Sequence, residues 1–198
     1  MKHLLAPLLL TSVLAAPAFA DDRLPHTPRA GLWEATVDMS VDGVPFDPLE
    51  ALRGAREQLL QYLPPEQQAA LSAALGEQGQ APRVCLTKDN VANANTVEYW
   101  LEEFESEMDG CTFTSAGRNG ATLKVTGQCD GQSGFKGQLD GTLNMPDDRS
   151  VNTVLQGKGE VRLEALGMPG ASSGLRQYRI AVNSRFVQQD CAGVPALN

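Results

Sequence analysis

From residue 31 the chain alternates: Trp33, Ala35, Val37, Met39 and Val41 are separated by Glu34, Thr36, Asp38 and Ser40. A period of two marks a strand with one face buried and the other in water. The same pattern returns in Phe135, Gly137, Leu139, Gly141, Leu143 and Met145, in Val151 to Leu163, and in Tyr178, Ile180, Val182, Ser184 and Phe186. Shorter versions run over Ala81 to Leu86, through Phe113 and Ser115, and through Leu123, Val125 and Gly127. Glycines on the apolar side of the long strands suit strong twist and curvature. The pattern predicts a mainly β protein: a curved antiparallel meander sheet or partly closed barrel of about seven strands.

Register follows from the same parity. A strict two-residue Asn-Gly turn after Arg118 would set Phe113 against Thr126 and mix the faces. A three-residue loop of Arg118, Asn119 and Gly120 sets Phe113 against Val125 or Gly127 and keeps the apolar residues together. The loop of odd length is therefore expected. A second turn is expected over Pro146 to Arg149, and a flexible loop over Gly167 to Gly174.

Two stretches have helical spacing instead. Asp47-Pro48-Leu49-Glu50 has the order of an N-cap followed by a first turn. Leu49, Leu52, Leu59, Leu60 and Leu63 follow it, then Pro64-Pro65, and then Ala70, Leu71, Ala74 and Leu75 before Gly76. The expectation is a helical hairpin over 47–76, packed by its leucine face on the sheet. In Glu98 to Asp109 the spacing places Trp100, Phe104 and Met108 on one buried stripe and the carboxylates in water. Residues 21–30, with Pro25 and Pro28, read as a flexible N-terminal arm, and 31–198 as a single β-rich domain.

The first twenty residues change the picture of where this domain works. A basic start, an apolar run from Leu4 to Leu14 and the small-x-small site Ala18-Phe19-Ala20 form a signal-peptide pattern. Cleavage is expected after Ala20, giving a soluble periplasmic or secreted protein without a membrane anchor. The formal net charge of −8 argues against nucleic acid as a partner. Cys85, Cys111, Cys129 and Cys191 all follow the leader, where an oxidising compartment pairs an even set. Four cysteines allow three pairings. Cys111 and Cys129 bracket one hairpin and point to the same side, which favours their bridge and leaves Cys85 for Cys191.

Ala-Gly-Leu-Trp-Glu (30–34), Pro-Pro-Glu-Gln (64–67), Val-Cys-Leu-Thr (84–87), the pair Cys111 and Cys129, and a terminal Asp-Cys (190–191) occur in this order. In these the chain resembles a bacterial exported family catalogued as domain of unknown function 3617, with its GLW motif. The resemblance spans nearly all of the chain after the leader. One departure is Phe186, where the family pattern favours Trp. The resemblance implies an envelope protein of β-rich build and transfers no catalytic residue.

Catalytic constellations are missing from the sequence. A serine or cysteine hydrolase needs a histidine base held by a third group, and after the leader the chain has only His26, in the proline-broken arm. His26 reads as an exposed, idle side chain. No phosphate loop, nucleotide fingerprint or metal-ligand spacing occurs, so no cofactor and no metal are expected. Asp140 and Glu160, on neighbouring strands, read as surface charge and not as a glycosidase pair. The expected function is non-enzymatic. Trp33, Val37, Phe135, Leu139, Leu155 and Tyr178 would face a hydrophobic small molecule held under the helical hairpin by a monomer. The alternatives are an envelope protein-protein interaction or structural factor whose helices fill the core, or, third, a hydrolase.

Overall fold

The alternating stretch from residue 31 forms β1 (Gly31–Val41), and the later ones form β4 (Cys111–Asn119), β5 (Thr122–Asp130), β6 (Phe135–Asp147), β7 (Ser150–Val161) and β8 (Leu175–Gln188). Among the described residues two short strands, β2 (Val44–Phe46) and β3 (Arg83–Leu86), and two helices, α1 (Lys88–Val91) and α2 (Val97–Glu107), join them. The structure is a computed structural model and describes residues 22–47, 60–65, 67–68, 81–132, 134–162 and 174–196. The helical hairpin expected over 47–76 and the loop expected over 167–174 lie mostly outside the described residues.

All pairings between strands are antiparallel, in the order β2-β1-β8-β7-β6-β5-β4, with β3 beside β2 on the outer edge of β1. The sheet is mainly β as expected, and it is open: β4 at one edge does not meet β2 or β3 at the other. The extra strand, β2, follows Asp42-Gly43, where the alternation of β1 ends. Both residues have positive φ, 51° and 77°, and Val41 faces Val44 across them. That is the two-residue hairpin turn an Asp-Gly pair favours.

Parity holds across the sheet. Trp33 and Val37 of β1, Tyr178 of β8, Leu155 of β7, Leu139 of β6 and Val125 of β5 fall on one face by register. This face carries the core, with Leu123, Leu139, Leu143 and Met145 fully buried. Glycines make room on it for rings. A Cβ on Gly127 would lie 2.5 Å from the Phe113 ring, and one on Gly159 would lie 2.7 Å from that of Phe135. Phe135 can therefore lie flat across β7 and stack on Tyr178, with centroids 5.4 Å apart.

The β4–β5 hairpin reaches the expected facing by a different device. Phe113 faces Gly127, Ser115 faces Val125 and Cys111 faces Cys129, but the loop is the two-residue Gly120-Ala121. The odd residue is taken up by a bulge between Ser115 and Gly117, which restores the parity a two-residue turn would have broken. Both cysteine pairs stand at disulfide distance: Cys111 with Cys129, Cα atoms 4.0 Å apart, and Cys85 with Cys191 at 5.4 Å. The second fastens the C-terminal segment to β3.

Residues 22–30, expected to be a flexible arm, are tied down along their length. Leu24 is buried, its N–H donates to the Asn95 carbonyl, and Val97 N–H donates to the Asp22 carbonyl. Arg29 pairs with Asp148, and its carbonyl accepts from the Trp33 indole at 2.8 Å. Prolines at 25 and 28 here shape a docked extended segment. His26 within it is half-buried and not exposed.

Candidate functional site

The polar stretch Thr96 to Met108 places a helix over the core face. Thr96 is the N-cap, its hydroxyl accepting from Tyr99 N–H, which meets one of the donors that a helix start leaves open. Before it, Thr87 and Asn90 form a reciprocal capping box on α1. The Trp100 indole donates to the Ala94 carbonyl at 2.8 Å and locks the turn that leads into α2. At the other end Phe104 packs on Phe113, centroids 5.4 Å apart, and Glu105 accepts from Phe113 N–H at 2.8 Å. That bond also covers a donor on the free edge of β4, where another chain could otherwise pair.

Held this way, α2 stands off the sheet over a cavity of about 360 Å³. Its floor is Val151, Thr153 and Leu155 of β7 with Ile180, Val182 and Ser184 of β8. Pro28, Trp33, Val84 and Leu86 close one side, and Tyr99, Trp100, Glu103, Phe104, Glu107 and Met108 of α2 form the roof. A mostly apolar concavity with a few polar groups at its edge is the usual form of a small-molecule site, and this volume is within the range of such sites.

Residues 28–191 match the family described as "Protein of unknown function (DUF3617)". The chain belongs to the DUF3617 family. It is also similar to an "Uncharacterized protein in lpd-3 5'region" of Pseudomonas putida, 34% identical over 129 residues that cover 62% of this chain and 80% of that protein. No solved structure matches the chain significantly.

The six residues expected to face a ligand in this DUF3617 protein share one sheet face, but they divide in their surroundings. Trp33 and Leu155 line the cavity. Phe135, Leu139 and Tyr178 belong to the buried core and do not line it, and Val37 is half-buried on the same face. Burial raises the Tyr178 phenol above its ordinary range. The cysteines Cys85, Cys111, Cys129 and Cys191 are all paired and stand apart from the cavity lining.

The sequence reading missed the α2 row of Tyr99, Glu103 and Glu107, one turn apart and beside the stripe of Trp100, Phe104 and Met108. It expected the carboxylates of this helix in water, yet Glu103 is half-buried at the cavity. Burial first, and the charge of Glu107 second, raise the Glu103 carboxyl above the usual range. Burial and Glu103 likewise raise the Tyr99 phenol. The i, i+4 spacing from Tyr99 was the signal that could have placed Glu103 at the margin of the stripe.

The arrangement offers shape and charge without an evident reaction. Among the described residues no group of three His, Cys, Asp or Glu side chains is arranged to hold a metal ion. Asp140 faces Gln156 and Glu160 faces Lys136, four residues apart along β7. At about 3.3 Å per residue the two carboxylates are roughly 13 Å apart, too far for a glycosidase pair. No helix among the described residues is long and apolar enough to cross a membrane.

Proposed function

We propose that this DUF3617 protein binds a hydrophobic small molecule between the core face of its sheet and α2, and that it does so without catalysing a reaction on it. The observation that carries this reading is the cavity itself. Leu155, Ile180, Val182 and Trp33 border an open concavity of about 360 Å³, apolar on its floor and of a size that suits a small molecule. We infer also that the chain is exported. The leader pattern of residues 1–20 and the two cysteine pairs, which persist as disulfides in oxidising compartments, support that reading.

The test is uptake of the neutral dye N-phenyl-1-naphthylamine by the purified protein and by Val182→Trp and Ile180→Trp. These two positions line the cavity and are only half-buried, so an added indole can enter the open space at little cost to folding. Dye fluorescence should rise with the unaltered chain and stay at background with the folded variants. Equal uptake by all three would place the dye elsewhere and remove the basis of the proposal. Mass spectrometry of the protein taken from the periplasm should show a chain beginning at Asp21.

A further inference from the structure

The charges at the cavity narrow the chemistry of what it can hold. Among the described residues, the charged side chains that line it are Glu103 and Glu107, both carboxylates, with no described lysine or arginine beside them. Elsewhere the described acidic residues that carry ion pairs are matched locally: Glu34 by Arg83 and Arg185, Asp42 by Arg176, Asp148 by Arg29. Among the described residues, none of these ion pairs involves Glu103 or Glu107. Their neighbours are instead aromatic. Tyr99 precedes Glu103 by one turn, and its ring meets that of Trp100 edge to face, 5.2 Å apart and at 88°, so that the two rings form a corner.

We propose that the cavity selects a lipophilic cation, an amine or quaternary ammonium head on an apolar body, with the body on Leu155, Ile180 and Val182 and the head beside Glu103, Glu107 and the Tyr99–Trp100 corner. This rests on the hydrophobic-ligand reading and gives it a sign. An anionic amphiphile such as a fatty acid would bring a third negative charge beside two that already repel one another, whereas a cation relieves that repulsion. Burial first, and the charge of Glu107 second, raise the Glu103 carboxyl. Aromatic faces add an attraction for a weakly hydrated cation that a neutral or anionic head does not receive.

Three ten-carbon probes of one body and different heads decide it: decyltrimethylammonium, decyl maltoside and decanoate, each below its micelle concentration. The protein has two tryptophans, Trp33 and Trp100, and both line the cavity, so intrinsic fluorescence reports the site directly. Decyltrimethylammonium should bind about tenfold more tightly than the maltoside, and decanoate most weakly. In Glu103→Gln/Glu107→Gln, whose fold is checked by circular dichroism, the ratio of cation to maltoside affinity should fall from about tenfold to the roughly threefold that the aromatic corner alone can supply. Equal affinity for the three heads, or a preference for decanoate, would overturn the assignment of charge and leave the hydrophobic-ligand reading in place. Failure of all three probes to bind would overturn both. A cationic preference undiminished in the double variant would also overturn it, because the two carboxylates would then contribute nothing to the selectivity.

Discussion

Replacing Trp33 by phenylalanine isolates what the indole contributes at the junction of arm, sheet and cavity. Trp33 is 2% exposed, donates to the Arg29 carbonyl and meets the Phe186 ring edge to face at 6.0 Å. Phenylalanine keeps a ring in place but loses the donor. The lost bond costs about 1 kcal/mol, because Arg29 lies at the surface where water can replace the indole. The smaller ring leaves about 40 Å³ unfilled, which at about 24 cal/mol per Å³ adds about 1 kcal/mol. Weaker contact with Phe186 adds about 0.5 kcal/mol. The expected loss is about 2 to 3 kcal/mol. Urea unfolding followed by far-ultraviolet circular dichroism measures it without depending on the fluorophore that the substitution removes. Trp100→Phe serves as the comparison: it gives up a similar bond, to Ala94, from a half-buried site, and should cost about 1 kcal/mol. A Trp33→Phe protein within 0.5 kcal/mol of the unaltered chain, or less damaged than Trp100→Phe, would refute this account of how the arm is held.

Two further outcomes follow from charge and cross-links. Glu34 is 13% exposed between Arg83 and Arg185, and although burial alone would raise its carboxyl, hydrogen bonds from the two arginines hold it below the ordinary glutamate value of 4.5. Its folded value is depressed, so the stability it contributes is present above pH 4.5 and is lost as pH falls through the folded value. Glu34→Gln should cost about 1 kcal/mol at pH 7, given arginines that are themselves 42% and 76% exposed, and the difference should vanish in unfolding curves taken progressively below pH 4.5. A cost that persists undiminished in acid would mean that the carboxylate's charge is not what matters. For the cysteines, the span of 106 residues between Cys85 and Cys191 predicts that replacing this pair by alanine costs about 5 kcal/mol, against about 3 for Cys111 with Cys129, 18 residues apart. Greater damage from losing the hairpin bridge, or a peptide linking Cys85 to Cys111 in a non-reducing digest, would contradict the pairing.

Period-two alternation carried the sheet because each strand has one apolar face, and the parity of that face fixes register wherever a slip would bury polar groups. Phe113 could thus be set against Val125 or Gly127 from the sequence, and it meets Gly127. The means of doing so could not be read, since a bulge at Ala116 and an odd loop satisfy the same parity and differ only in local twist. Asp42-Gly43 marked the end of the alternation, and the three residues of strand that follow it are too few to show alternation of their own. The docking of residues 22–30 depends on partners such as Asn95 and Asp148 that lie far away in sequence, and prolines in an extended segment look the same whether it is docked or free. The candidate site was the least legible part. Leu139 and Leu155 share a face and a pattern and are both buried, and only the placement of α2, set by its caps and by Phe104 on Phe113, puts Leu155 and not Leu139 in the cavity wall.

On its inner edge β1 pairs with β8, and Glu34 and Arg185, which join the two, are separated by 151 residues. The strands from β5 to β8 each meet the one made just before, so that part of the sheet can assemble in the order of synthesis. β1 is the first strand made and cannot take its place until the last is available. Contacts of such long range slow folding, and until β1 arrives the inner edge of β8 stays open to any other chain that can pair with it. Truncation anywhere before residue 175 therefore removes the long partner of β1 and leaves it with only the short strands β2 and β3. A nascent or shortened chain would then expose the alternating face of β1 to chaperones and proteases.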